Sequence, residues 1–177
     1  MSNKMKRRSK ARELALQTLY QVDLTKNDDR KQVDKILAEQ DAEKEPREFA
    51  RELVYGTLDH QDEIDEMISE VTQNWAIARM AVVDRNVLRL ATHELLHRDD
   101  IPPKVSINEA IEIGKRYSTT NSGAFINGIL DKIMNHYLPD SVGLPDDVGL
   151  PDDASEVVEE EGAAIEKEIK AEQEESS

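Results

Sequence analysis

Residues 81–98 read AVVDRNVLRLATHELLHR, and this stretch shows most clearly the pattern from which the fold can be predicted. Asp99 and Asp100 follow it directly, and the prolines at 102 and 103 are expected to end any helix there. Apolar residues spaced three or four positions apart lie on one face of an amphipathic α-helix. In this stretch they are Val83, Val87, Leu88, Ala91 and Leu95.

The same helical spacing continues upstream of this segment. Leu14, Leu19 and Val22 fall on one face of a predicted first helix. Pro46 suits the first turn of a later helix, because the N–H that proline lacks would have no partner there. A further helix is expected to end near Trp75. The predicted upstream helices cover about residues 10–24, 33–37, 46–58 and 64–75.

Two more helices are predicted downstream. Ser106 and Glu109 form a capping box, in which each side chain satisfies a backbone N–H of the first turn, so a helix is expected to start there. The last helix begins near Ser122 and stops at Pro139. Gly and Pro are scarce before this point, and alternating β-branched runs are absent from the sequence. The fold class is therefore predicted to be all-α, with one domain over residues 1–139.

Charge divides the chain of 177 residues into three parts. The net charge is −15, yet residues 1–12 hold six Lys or Arg and no acid, whereas residues 140–177 hold 14 acids and two Lys. Residues 140–177 have few large apolar groups, so a disordered acidic C-terminal tail is predicted. The absence of Cys excludes a disulfide framework and a thiol nucleophile. Without a long apolar run or a signal sequence, a cytoplasmic protein that binds no membrane is expected.

The sequence HELLH matches the H-E-x-x-H pattern of zinc metalloproteases. In that pattern His93 and His97 would share a zinc ion while Glu94 activates water, so a zinc-dependent hydrolase is the alternative function. A third ligand would have to come from Glu109 or Glu112, without a supporting pattern. The sequence therefore predicts no catalytic residue, no metal and no cofactor.

Residues 1–12, here called the basic head, suit contact with nucleic acid. Arg8 and Arg12 lie four positions apart, and Tyr20 lies roughly 80° round the helix from Arg12. Guanidinium groups neutralise phosphates, and a phenol ring offers a stacking surface for an unpaired base. The alternative is a solvated N-terminus with Tyr20 in the core.

Phe125 is a second candidate ring. It falls in the first turn of the last predicted helix, where an aromatic side chain can project beyond the core. The alternative, which spacing alone slightly favours, is that Phe125 packs in the core.

In combination, these stretches resemble the NusB family of bacterial transcription antitermination factors. The likeness spans about residues 5–136, and it is the ordered set of short motifs that makes it specific. The motifs are RRSKAR at 7–12, QTLY at 17–20, VLRLA at 87–91, EL at 94–95, IP at 101–102 with Val105, NEAIE at 108–112 and FINGILD at 125–131.

The resemblance implies a NusB-like fold of two small packed helical bundles and no catalysis. It implies binding to single-stranded boxA RNA together with NusE, a small-subunit ribosomal protein. The assembly would support ribosomal RNA transcription within an RNA polymerase antitermination complex. Whether the chain is a monomer or a homodimer stays open. An RNA-binding appendage of a ribosomal RNA methyltransferase is a further alternative. The lack of a methyltransferase domain in this chain argues against it.

The resemblance also implies roles for individual residues. Asp84, at the start of its helix, is implied to lie on the surface that faces NusE. Ala124 and Ser9 replace residues that are often basic in the family, so the lone protein is expected to make fewer phosphate contacts. The implied RNA contacts are Arg8, Lys10, Arg12, Tyr20 and Phe125.

Overall fold

The computed structural model describes residues 3–40, 43–73, 76–119 and 121–138. Within these ranges every regular element is a helix, which confirms the predicted all-α class. The predicted disordered tail lies outside the described residues. The helix predicted to end near Trp75 already ends at Val71, and the last helix ends at Tyr137, close to the predicted stop at Pro139. The elements are α1 (Asn3–Thr25), α2 (Arg30–Glu39), α3 (Lys44–Asp59), α4 (Gln61–Val71), a 3-10 turn (Ile77–Arg79), α5 (Val82–His97), α6 (Pro103–Tyr117) and α7 (Ser122–Tyr137).

Helices α1, α2 and α3 form the first bundle. The apolar positions of α1 repeat at helical spacing and therefore face α2 and α3 together. The side chain of Asp29 begins α2 by accepting a hydrogen bond from the Lys31 backbone N–H. The first core consists of Ala11, Leu14, Ala15, Leu19, Val22, Val33, Ile36, Leu37, Ala50, Leu53, Val54 and Leu90.

Helices α4 to α7 form the second bundle. Its largest fully buried side chains come from α4, α5 and α7. None of the described helices has the length and apolar composition that crossing a membrane requires. The second core includes Ile64, Ile68, Val87, Leu88, Phe125, Ile126, Ile129, Leu130 and Ile133.

Helix α5 joins the two bundles. Its Leu90 packs in the first core, while its neighbour Leu88 packs in the second, and Leu16 of α1 also enters the second core. Every residue from Asn86 to Leu95 is buried. The expected pair of small packed bundles is thus confirmed, and the polar residues of α5 need partners inside the protein.

The start of α6 differs from the prediction. The helix begins at Pro103, and the Pro102 carbonyl accepts hydrogen bonds from the N–H groups of Val105 at 2.9 Å and Ser106 at 3.3 Å. Proline is well suited to a first helical position because its φ is already helical. Ser106 lies inside the helix, where its Oγ donates to Glu94 Oε2 at 2.7 Å. The predicted capping box at Ser106 and Glu109 is therefore wrong.

Helix α1 begins seven residues earlier than the predicted start near residue 10, at Asn3. Its first turns are polar and show no apolar periodicity, so the sequence pattern did not reveal them. Tertiary contacts hold them instead. Arg7 donates to Glu45 of α3 at 2.6 Å, and the Ser9 hydroxyl donates to Glu109 of α6 at 2.8 Å. From Asn3 onward the basic head is therefore a helical surface held against both bundles.

Candidate nucleic-acid interface

The basic head forms one wall of a groove between α1, the start of α3 and the residue after α5. Two of its arginines are open to solvent, with 39% of the Arg7 side chain and 30% of the Arg8 side chain exposed. The groove therefore offers cations that a phosphate can reach. Its basic and apolar lining residues include Lys4, Arg7, Arg8, Pro46, Phe49 and Arg98.

Phe49 lines this groove, and arginines surround its ring. The guanidinium carbons of Arg8, Arg98 and Arg12 stand 4.8, 5.1 and 5.9 Å from the centre of its ring. Such distances allow cation–π attraction, which holds guanidinium groups close to an aromatic face. The sequence did not single out Phe49 or Arg98, because Phe49 falls on the apolar face of a helix. The only available signal was its basic neighbourhood, with Arg47 and Arg51 two residues away on either side.

Acidic side chains already hold the cations of the groove. Arg8 meets Asp100 at 3.4 Å, and Arg98 donates to Asp100 and to Glu52, each at 2.9 Å. Hydrogen bonding from Arg98 lowers the pKa of Asp100 to about 2, despite the opposing effect of burial. The groove thus contains a network of ion pairs. A phosphate that binds there would compete with a carboxylate for each guanidinium group.

Lys10 and Tyr20 lie elsewhere on α1. The Lys10 side chain is 51% exposed and has Glu13 at 3.8 Å. Tyr20 is 37% exposed, so the alternative that placed this ring in the core is wrong. Ten residues of helix put Tyr20 about 15 Å along α1 from Lys10. Both side chains are therefore open to a ligand that follows α1.

Arg12 is buried, contrary to the expectation of a surface contact. Its side chain is 3% exposed. Its Nε donates to Glu94 Oε1 at 2.7 Å and its Nη2 donates to Glu94 Oε2 at 3.1 Å. Ser106 donates to the same carboxylate, so three helices meet at Glu94. A buried guanidinium group requires such a partner. Because Arg12 binds Glu94 inside the protein, it is not part of the exposed surface.

Phe125 is buried as well. The ring is 2% exposed and belongs to the second core, so it does not project beyond the core. Core packing, the alternative reading of this residue, is the arrangement in the structure. Of the two candidate rings, Tyr20 therefore remains accessible to a ligand and Phe125 does not.

Asp84 is also buried, contrary to the expectation that it lies on a partner-facing surface. The residue is 7% exposed and stands in the first turn of α5. Its Oδ2 accepts a hydrogen bond from the Ser122 hydroxyl at 3.3 Å. Asp84 thus links the start of α5 to the start of α7. Its carboxylate lies at the N-terminal end of α5, where the helix dipole favours a negative charge.

The HELLH sequence does not form a hydrolase site. Glu94 is 1% exposed and both of its carboxylate oxygens accept hydrogen bonds from Arg12 and Ser106, so it is not available to activate water. Glu109 instead accepts from Ser9. Burial, together with the nearby His97, lowers the pKa of His93 to about 4. The zinc hydrolase alternative is not supported.

Comparison with known proteins identifies relatives along most of the chain. A model of the NusB family matches residues 9–135. The chain is 48% identical over 129 residues to the transcription antitermination protein NusB of Desulforamulus reducens, covering 73% of this chain and 90% of that protein. It is 52% identical over 126 residues to the NusB protein of Desulfitobacterium hafniense, covering 70% of this chain and 85% of that protein.

Solved structures agree with these sequence relatives. T. maritima NusB superposes with a TM-score of 0.69 at 41% identity, covering 77% of this chain and 97% of that chain. A crystal structure described as antitermination factors NusB and NusE in complex with dsRNA gives a TM-score of 0.69 at 30% identity, covering 75% of this chain and 99% of the matched chain. The family match, the identities and the superpositions together show that this chain belongs to the NusB family.

Proposed function

We propose that this chain is a non-catalytic, RNA-binding transcription antitermination factor that binds single-stranded boxA RNA together with NusE and supports ribosomal RNA transcription. The observation that carries the proposal is the arginine-lined groove around Phe49, on a chain of the NusB family. A solved relative is described in complex with NusE and dsRNA, which supports NusE and RNA as the two kinds of partner. The complex would act as part of an RNA polymerase antitermination assembly in the cytoplasm.

In this proposal the exposed cations of α1 supply the affinity for RNA. Arg8 and Lys10 are the proposed phosphate contacts from the basic head, and Arg7 adds a third exposed cation. Three phosphate contacts on a single strand give a salt slope of about −2. Because Asp100 and Glu45 already pair with the arginines, each new contact replaces an existing ion pair, and the net gain per contact is small.

Tyr20 is the proposed stacking ring, because it is the exposed aromatic side chain that lies on the same helix as the basic head. Arg12 and Phe125 are proposed to act behind the surface, where Arg12 holds α1 against α5 and Phe125 fills the second core. Asp84 likewise acts from inside, through Ser122. NusE would then add the RNA contacts that this surface lacks, which raises the affinity of the complex.

The test is a binding titration with three RNAs, a boxA strand, a scrambled strand and a duplex, each with and without NusE. The proposal expects the boxA strand to bind best and NusE to strengthen that binding. Arg8→Ala should weaken binding and make the salt slope less steep by about 0.7. The matched control is Lys35→Ala, which removes an exposed cation from α2 and should leave the slope unchanged. An Arg8→Ala titration equal to that of the unaltered protein would contradict the proposed surface.

A further inference from the structure

Three of the four histidines of the chain lie together where the two bundles meet. His60 stands at the junction of α3 and α4, and His93 and His97 are one turn apart on α5. The ring centres of His60 and His97 are 3.8 Å apart, and that of His93 lies 5.7 Å from His60 and 5.5 Å from His97. One ring nitrogen from each residue lies within 4.8 Å of the other two.

The innermost ring has a nitrogen without a partner. His93 is 4% exposed, and its Nδ1 is buried without a hydrogen-bond partner. Leaving a buried polar atom unpaired costs free energy, which is why such atoms are rare in folded proteins. The ring that carries this atom lies close to two more imidazoles, and such a group of rings is suited to binding a ligand.

Gly56 positions two of the three rings. A Cβ atom at this position would lie 2.2 Å from His93 Cε1 and 2.3 Å from His93 Nε2, so only glycine leaves room for the His93 ring. The Gly56 carbonyl also accepts a hydrogen bond from His60 Nδ1 at 2.8 Å. Because a carbonyl can only accept, His60 Nδ1 carries the proton and Nε2 keeps its lone pair. Metal-binding histidines are commonly oriented by such a bond from the second ring nitrogen.

The surroundings favour a cation. Glu63 Oε2 lies 3.8 Å from His97 Nε2, and Asp59 acts on His93 as a nearby negative charge. The nearby cation, Arg98, is neutralised by hydrogen bonds to Glu52 and Asp100. Carboxylates close to the imidazoles can offset the charge of a bound ion or complete its ligand set.

We propose that His60, His93 and His97 bind one transition-metal dication, with Zn²⁺ as the expected occupant. Three imidazoles with a fourth position left to water or to Glu63 are a ligand set that zinc accepts. Tetrahedral zinc with bonds of about 2.1 Å separates its ligand atoms by about 3.4 Å. The ring nitrogens lie within 4.8 Å of one another, so they need to approach by up to about 1.4 Å, and the stacked rings need to turn so that their lone pairs meet at one ion. The third ligand is His60, a residue 33 positions before His93, and not Glu109 or Glu112.

The proposed site is structural and not hydrolytic. Glu94 remains held by Arg12 and Ser106, so the metal would have no base at the position where a zinc protease has one. A metal shared by His60 and α5 would instead tie the end of α3 to the helix that joins the bundles. Binding of metal only to the folded chain would stabilise it by mass action.

The experiment uses the full chain, purified without a histidine tag and stripped with a chelator, and titrated with ZnCl₂ in competition with a chromophoric chelator. The expected result is one Zn²⁺ per chain, with affinity at least tenfold weaker in His60→Asn and in His97→Asn. The matched control is His136→Asn, which changes the fourth histidine, on the exposed end of α7, and should bind as the unaltered protein does. Circular dichroism checks that each variant is folded.

Cobalt gives a second readout, because Co²⁺ bound by three imidazoles in tetrahedral geometry absorbs visible light. That absorption should appear with the unaltered protein and with His136→Asn, and it should vanish with His60→Asn and His97→Asn. Zinc binding that persists at full affinity in folded His60→Asn and His97→Asn would place the metal elsewhere on this acidic chain and overturn the proposal. The absence of saturable binding to the unaltered protein would overturn it equally.

Discussion

Arg8 and Arg12 lie one turn apart on α1, and the structure gives them opposite environments. Arg8 is 30% exposed and meets Asp100 at 3.4 Å, whereas Arg12 is 3% exposed and binds both oxygens of Glu94. The difference comes from the facing elements, since Arg8 faces a solvated loop and Arg12 faces the buried side of α5. A run of basic residues in sequence is therefore not by itself a basic surface.

The two arginines should also differ in energy. An exposed ion pair contributes about 0–1 kcal/mol, because solvent screens the charges. A buried pair has lost its hydration, so removing one partner leaves an uncompensated charge at a cost of about 3–5 kcal/mol. Arg12 should therefore govern stability, while Arg8 governs binding.

The largest expected effect is that of Glu94→Gln, which keeps the shape of the side chain and removes the charge that Arg12 requires. The free energy of unfolding should fall by about 3–5 kcal/mol, as measured by urea denaturation. Glu52→Gln is the matched control, because this residue is a 62% exposed partner of Arg98 and should cost less than about 1 kcal/mol. A loss as small as that of the control would show that Arg12 and Arg8 do not differ as described.

Tyr20→Ala tests whether the exposed ring of α1 belongs to the RNA surface. If a base stacks on Tyr20, the substitution should weaken RNA binding by about 1–3 kcal/mol. Tyr20→Phe keeps the ring and should bind nearly as the unaltered protein does. Equal affinities of Tyr20→Ala and the unaltered protein would limit the binding surface to the basic head.

Asp23, at the other end of α1, extends the comparison to a second buried charge. Burial raises its pKa, but hydrogen bonds from Arg85, Lys26 and Asn86 outweigh that effect and hold it well below the usual range. Because the folded-state pKa is depressed, the unfolded chain binds the proton first. The stabilisation by Asp23 is therefore complete above pH 3.8 and is lost as the pH falls further, at up to about 1.4 kcal/mol per pH unit.

The measurement for Asp23 is the free energy of unfolding between pH 5 and pH 2, compared between the unaltered protein and Asp23→Asn. The difference between the two proteins should be constant at the upper end of this range and shrink below pH 3.8. A difference that stays constant throughout would mean that the hydrogen bonds from Arg85, Lys26 and Asn86 do not keep Asp23 charged.

Asp100→Asn should give the smallest effect, and it should strengthen RNA binding. The amide no longer competes with phosphate for Arg8 and Arg98, so a gain of about 0.2–1 kcal/mol is expected at low salt. Asp62→Asn removes an equal charge from α4 and serves as the control for net charge. Equal gains from both variants would show that Asp100 does not compete with phosphate for the arginines of the groove.

The helical class could be predicted from the sequence because the apolar residues before residue 139 recur at the spacing of an α-helix. The first core contains Leu14, Leu19 and Val22 at the positions that this period gives. The true start of α1 could not be predicted, because its first turns are polar and are held by Glu45 and Glu109. α5 ends at His97, ahead of both prolines as predicted, and Pro103 then begins α6, because a first helical position does not need the N–H that proline lacks.

The surface roles were harder to predict than the fold. Arg12 and Glu94 are 82 residues apart in sequence, so no local sequence pattern indicates that they form an ion pair. Phe49 and Phe125 both fall on apolar helix faces, yet three guanidinium groups surround the ring of Phe49 while that of Phe125 is buried. Only the packing of α1 against α3 and α5 distinguishes the two rings.

The position of Glu94 bears on how the chain can be divided. Its carboxylate serves Arg12 from the first bundle and Ser106 from the second, and Leu90 on the same helix fills the first core. A fragment that stops after α4 would contain Arg12 without its counter-charge and a hole where Leu90 belongs. We therefore expect that such a fragment does not fold on its own, and that the described helices melt in a single cooperative transition.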